Sequence, residues 1–203
     1  MDEINSSDSY KSISQPSTGI YKELGSKFLS FAYPVANEEE VKEIIATLRK
    51  EYHDARHHCF AYRIGSEGEH WRANDDGEPS SSAGKPILGQ LLSFGVSDVL
   101  IVVVRYFGGT KLGVPGLIRA YRSAAADALS NADVVEKIAG REIGFTFEYL
   151  KMNDVMKLLR DFSAEILEQD FDNFCKIRIR VRRGNYERLI AEISELAVKN
   201  EQE

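Results

Sequence analysis

Between Asn74 and Arg122 the chain gathers most of the residue types that could do chemistry. The run is N-D-D-G-E-P-S-S-S-A-G-K-P, then an apolar segment, then R-Y-F-G-G-T-K-L-G-V-P-G-L-I-R-A-Y-R. From Arg105 to Arg122 it holds Arg105, Lys111, Arg119 and Arg122 and no acid, on a chain whose net charge is -6. Glycine lets a ligand approach the backbone, and clustered cations attract an anion. Anion binding is therefore the first chemistry to consider, with Lys85, Arg105, Gly108, Gly109, Lys111, Arg119 and Arg122 as its residues.

Two prolines sharpen that expectation. Pro86 follows S-S-S-A-G-K and Pro115 follows G-V, each where a helix would begin. A helix start presents unpaired N–H groups and a partial positive charge, which suits phosphate or carboxylate. Arg119 and Arg122 are three apart and share a helix face. The competing reading is that the glycines and prolines only shape turns and the cations are solvated. G-G-T-K-L-G lacks the order of a Walker A loop, so ATP hydrolysis is not supported.

Asp75, Asp76 and Glu78 could bind Mg²⁺ or act as acid and base. Turn chemistry instead makes Asp75-Asp76-Gly77 a bend, with Glu78 paired to a nearby Arg or Lys. Asp76, Glu78 and His57 are the acid–base candidates if the site is catalytic. His53, His57, His58 and Cys59 invite a metal, but no second ligand pair follows them, so no metal is expected. Cys59, Ser80, Ser81 and Ser82 could supply a nucleophile, yet no nucleophile-elbow motif surrounds them. Nothing calls for a cofactor.

The elements that must position these residues follow from periodicity. Residues 1–17 are polar and read as a loose lead-in. Gly19–Val35 reads as two strands turning near Gly25-Ser26. Asn37 with Glu40 forms a capping box ahead of Val41, Ile44, Ile45, Leu48 and Tyr52 at helical spacing. His57–Ile64 and His70–Ala73 form a hairpin. A helix opens at Pro86 and stops at Gly95, Val99–Val104 is a central strand covered on both faces, and Pro115 opens the next helix. Val134–Ile138 is a short closing strand.

From Arg141 the pattern restarts as strand 141–148, helix 152–162, strand 164–170, strand 174–182 and helix 185–198. That order is βαββα, a ferredoxin-like unit without a clear last strand, so the chain divides near residue 139. In C-K-I-R-I-R-V-R-R, the side chains of Lys176, Arg178, Arg180 and Arg182 share one strand face and Cys175, Ile177, Ile179 and Val181 the other. The basic face could follow a nucleic-acid backbone, or be a solvated face balanced by Glu165, Glu168 and Asp170.

At 203 residues and 43% apolar content the chain is an ordinary globular protein. No apolar run is long enough to span a membrane, no signal peptide is evident, and two distant cysteines suit a reducing compartment. A cytoplasmic location is expected, with no membrane partner.

The stretches A-R-H-H-C-F-A-Y-R-I-G, N-D-D-G-E-P, A-G-K-P-I-L, V-V-V-R-Y-F-G-G-T-K-L-G and G-L-I-R-A-Y-R resemble the IMPACT family, in its bacterial YigZ-like two-domain form. Ser81-Ser82 stands where Gly-Thr is usual, and Pro115 where a second Gly is common. The resemblance implies an α+β protein with an N-terminal domain like ribosomal protein S5 domain 2 over 18–139. It implies a ferredoxin-like domain over 140–203, the pair being similar to the last two domains of elongation factor G. Eukaryotic relatives act in translational control by binding a regulator of a stress kinase. For bacterial members the resemblance implies association with RNA, the ribosome or a translation-regulatory protein, without an assigned enzymatic activity. A small phosphate-bearing metabolite, bound by an enzyme or a sensor, is the alternative that the residues themselves leave open.

Overall fold

The computed structural model describes residues 8–171, 175–196 and 199–201. They divide into two compact units: residues 10–137, and the residues from 138 onward with residues 8 and 9.

The larger unit begins with a strand, not with a loose lead-in. The described part of the expected lead-in is ordered: β1 (Ser9–Ile13) pairs with β7 (Val134–Ile138), and Ile13 is buried. Tyr10 donates to Asp98 Oδ2 at 2.5 Å, and Asp98 Oδ1 accepts from the Gly65 N–H at 2.9 Å. These long-range ties hold a polar segment whose own sequence carries little strand signal. Residues 1–7 of the expected lead-in lie outside the described residues.

β2 (Ser17–Glu23) and β3 (Ser26–Pro34) then form a hairpin across Leu24-Gly25. α1 (Glu38–Glu51) starts where the capping box places it. Asn37 accepts from the Glu40 N–H at 2.9 Å, and Glu40 reaches back to the Ala36 N–H at 2.8 Å. β4 (His57–Ile64), β5 (His70–Asn74), α2 (Gly84–Phe94), β6 (Val99–Tyr106) and α3 (Gly113–Ser130) follow before β7. The main sheet runs β2–β3–β6–β4–β5, with antiparallel neighbours throughout.

β6 is the sheet's centre and is apolar on both faces. Val99, Ile101 and Val103 enter the core beneath α2 and α3, with Phe28, Leu91, Tyr121 and Ala124. Leu100, Val102 and Val104 enter the core beneath α1, with Val41 and Leu48. Helices α2 and α3 thus lie side by side on one face of the sheet, and α1 lies on the other.

The smaller unit comprises β8 (Gly140–Phe147), α4 (Met152–Asp161), β9 (Glu165–Phe171), β10 (Cys175–Arg182), α5 (Tyr186–Leu196) and β11 (Lys199–Glu201). Its sheet runs β11–β8–β10–β9 with antiparallel neighbours. The order is therefore βαββαβ. The missing last strand of the sequence reading is present as a three-residue edge, too short and polar to show alternation. Residues 197 and 198 of the helix expected to reach 198 lie outside the described residues. Cys175, Ile177, Ile179 and Val181 are buried against Val155, Leu159, Leu189 and Ile193 from α4 and α5.

Candidate functional site

The acidic loop is spent on structure. Asp75 turns its carboxylate onto the start of α2. Oδ1 accepts from the Ala83 N–H at 3.0 Å and the Gly84 N–H at 2.8 Å, and Oδ2 from the Ser81 N–H at 2.8 Å. The charge that an external anion would bring to this helix start is already supplied internally. Gly84 is needed there, because a Cβ would stand 2.5 Å from the Asn74 nitrogen.

Asp76 sits at φ 42°, held by Arg49 at 2.6 Å and by the His58 N–H at 2.6 Å. Burial alone would push its carboxyl up, but the His58 N–H and the Arg49 guanidinium outweigh that and hold it below the usual range. His57 donates from Nδ1 to the Asp76 carbonyl at 2.8 Å. His58 is buried, and desolvation, followed by Arg49, pushes its pKa down.

Glu78 anchors a second, deeper cluster. Its Oε1 accepts from Arg105 at 2.5 Å and from the Tyr121 hydroxyl at 2.8 Å, and both charged side chains are more than nine-tenths buried. Arg105 also lies over the rings of Phe28 and Phe107. Cys59 Sγ lies 3.0 Å from the Asp75 carbonyl and 3.3 Å from the Tyr121 hydroxyl. Burial pushes both the Cys59 thiol and the Tyr121 phenol well up, so each stays protonated and neutral. Ser82 is buried and donates to the Pro79 carbonyl.

Asp76, Glu78 and His57, the acid–base candidates, are thus committed to internal partners, and Arg105 is a buried counter-ion rather than an exposed cation. Among the described residues no group of three or more His, Cys, Asp or Glu side chains is placed to hold a metal.

The remaining candidates separate further. Arg119 pairs with Glu23 of β2. Gly108 serves packing, since a Cβ there would fall 1.9 Å from the Gly25 carbonyl carbon across the hairpin turn. Gly109 has φ 89° and open space around it. Lys85, Lys111 and Arg122 are exposed and make no ion pair among the described residues. The start of α3 beside Lys111 has no side-chain cap and no acid in its first turn.

Lys85 and Arg122 meet in one place. A surface cleft of about 490 Å³ runs between α2 and α3, lined by Ser81, Lys85, Pro86, Gly89, Gln90, Ile118 and Arg122. Among the described residues its lining holds two cations and no acid. Arg105, Lys111 and Arg119 are not part of its lining. Gly89, Gln90 and Ile118 were not singled out by sequence reasoning. A mid-helix glycine one turn after Lys85 was the available signal. Ser81 holds φ 64°, the left-handed region in which glycine rests without strain. This fits the glycine usual at that position in the resembling family.

On the second basic face, the two central arginines are paired with acids. Arg178 pairs with Glu142 at 3.0 Å and Glu168 at 3.7 Å, and Arg180 with Glu142 at 2.8 Å and Glu165 at 3.5 Å. Hydrogen bonding to Arg180 holds the Glu142 carboxyl below its usual range. Lys176 is exposed and Arg182 half-buried on the same strand. The balancing acids include Glu142 on β8, which the sequence reading did not name. Its position opposite Arg180 becomes visible only once the strand register is known.

Fold and site define a class: an α+β protein of two compact units, with a cation-lined interhelical cleft and its acid–base side chains tied into the scaffold. Residues 24–129 match the model of the Impact N-terminal domain family. The chain is 30% identical to the IMPACT family member YigZ of Escherichia coli over 90% of each chain. It is 39% identical to the IMPACT family member YvyE of Bacillus subtilis over 67% of this chain and 63% of that one. A crystal structure of a hypothetical protein superposes with a TM-score of 0.75 at 29% identity, covering 95% of this chain and 98% of the other. The chain belongs to the IMPACT family, as a bacterial YigZ-like member. No described helix is long and apolar enough to cross a membrane.

Proposed function

We propose that this protein is a cytoplasmic, translation-associated regulator that binds RNA, on or off the ribosome, through the α2–α3 cleft. The observation that carries the reading is the pair Lys85 and Arg122. Among the described residues they make no ion pair, and they line one cleft that no described acid lines, on a chain of net charge -6. Lys111, also without an ion pair among the described residues, adds to the field beside the start of α3. A phosphate backbone is the anion such a surface would collect from a cell extract. In the same reading, the larger unit is of ribosomal protein S5 domain 2 type and the smaller ferredoxin-like. Together they resemble the last domains of elongation factor G, and translation control is the role that the family resemblance implies.

A second reading, a sensor or enzyme for a small phosphate-bearing metabolite, draws on the cleft volume, which falls within the range of small-molecule sites. The commitment of Asp76, Glu78, His57 and Cys59 to internal partners weighs against catalysis.

The test is recovery of ribosomes and RNA from lysate by the tagged protein, with and without ribonuclease, beside the double variant Lys85→Gln/Arg122→Gln. Recovery should be ribonuclease-sensitive and should weaken with salt. Losing two phosphate contacts should flatten the log–log salt slope by roughly 1.4 for single-stranded RNA. Equal recovery by the double variant would remove the cleft from the function.

A further inference from the structure

The glycines of α2 and α3 have unequal reasons to exist. Gly84 makes room for the backbone of Asn74, Gly113 adopts φ 67°, and a Cβ on Gly116 would press on Leu112 at 3.0 Å. Gly89 answers to none of these demands: a Cβ there would meet nothing within 4 Å. It sits in the middle of an α-helix, where glycine is the least favourable residue apart from proline. It also lines the cleft, one turn beyond Lys85. The fold loses stability at Gly89 and gains no packing from it. What the missing side chain leaves is an uncovered stretch of helix wall beside two cations that make no ion pair among the described residues.

The remaining lining says what kind of group would lie there. Pro86 and Ile118 offer apolar surface, while Ser81 and Gln90 offer a hydroxyl and a carboxamide. Among the described residues no aromatic side chain lines the cleft, so they offer no platform on which to stack unpaired bases. A sugar–phosphate unit has the matching chemistry: an anion for Lys85 and Arg122, hydroxyls for Ser81 and Gln90, and a carbon face for Pro86, Gly89 and Ile118.

We infer that the α2–α3 cleft seats the sugar–phosphate backbone of RNA, with Gly89 kept free of a side chain so that the ribose can lie against helix α2. This rests on the RNA-binding reading above and adds to it both the seat and its indifference to base sequence.

The experiment measures binding of a fluorescein-labelled oligouridylate of about 12 nucleotides by anisotropy. The full chain is compared with Gly89→Leu, Gly89→Ala and Lys85→Gln/Arg122→Gln, and melting curves are recorded for each. Gly89→Ala should raise the melting midpoint by roughly 2–4 °C, because the helix gains propensity and no neighbour is displaced. Gly89→Leu should stay folded and lose affinity by roughly tenfold or more, because its side chain fills the seat. An oligoadenylate of equal length should bind with about the same affinity.

If Gly89→Leu binds like the parent while Lys85→Gln/Arg122→Gln loses binding, the seat at Gly89 is overturned and the cationic RNA surface stands. If the double variant also binds like the parent, the RNA reading of the cleft falls with it. Displacement of the oligomer by adenosine monophosphate at equal nucleotide concentration would overturn the polymer in favour of a free nucleotide. Weak competition by the monomer supports the strand.

Discussion

The α2–α3 cleft and the outer face of β10 are built from similar cations and reach opposite electrostatic states. On β10, Arg178 and Arg180 stand beside two strands that each supply acids, and Glu142 alone serves both arginines. In the cleft, Lys85 and Arg122 project from helices whose facing residues are Ser81, Gln90, Ile118 and a glycine. A sheet places each residue of an inner strand between two neighbours, so acids on the flanking strands can pair with the cations of a basic stripe. Helix faces separated by a cleft have no such obligatory neighbour. The number of cations in a segment is therefore a poorer guide to a binding surface than the identity of what lies across from them.

Arg105 offers the hardest way to break the comparison, since it belongs to the same basic run as Arg122 but is buried against Glu78. Arg105→Ala should lower unfolding free energy by about 3–5 kcal/mol in urea titration, because Glu78 is left charged and buried. A loss below about 1 kcal/mol would mean that Glu78 finds water or another partner. Ser81→Gly tests the cleft wall with a smaller effect. Relief of the left-handed backbone should stabilise by about 1 kcal/mol, with the salt slope of RNA binding unchanged.

The smallest effect belongs to β10. Glu142 has a folded-state pKa below its usual value of 4.5. Its contribution to stability is complete above that value and is lost as pH falls through the depressed one. As the pair is partly exposed, the loss should be at most about 1 kcal/mol. A carboxyl NMR titration of Glu142 should show the depressed midpoint in the parent and its return toward normal in Arg178→Gln/Arg180→Gln.

Much of this scaffold was legible because its signals are local. Asn37 and Glu40 are three residues apart and set the start of α1. The six apolar residues Val99–Val104 define a strand buried on both faces, and the alternation in β10 sorts its side chains correctly. The site was less legible because its decisive partners are distant in sequence. Glu78 and Arg105 are 27 residues apart, and Tyr121 is 43 from Glu78. Asp75 looks like a turn acid until the chain curls back and places Ala83 and Gly84 over its carboxylate. The turn reading of the acidic loop was nearer the geometry than the metal reading, although no pattern in the sequence says which cation Glu78 will find. Gly89 escaped notice because a lone glycine in a helix has no signature until the space beside it is known.

The position of β6 bears on how the larger unit is made. Its partners β3 and β4 adjoin it on either side and do not pair with each other. A ribosome emits both of them, and β5, before residue 99 exists. Until β6 arrives, β3 and β4 each keep an unpaired hydrogen-bonding edge next to apolar side chains. Such edges are open to strand addition from another chain. Closure must then wait for one insertion that completes the sheet at once, which favours slow, all-or-none folding. A stalled or truncated product ending before Val99 would be left without the strand that joins its two halves, and its natural fate is aggregation or degradation.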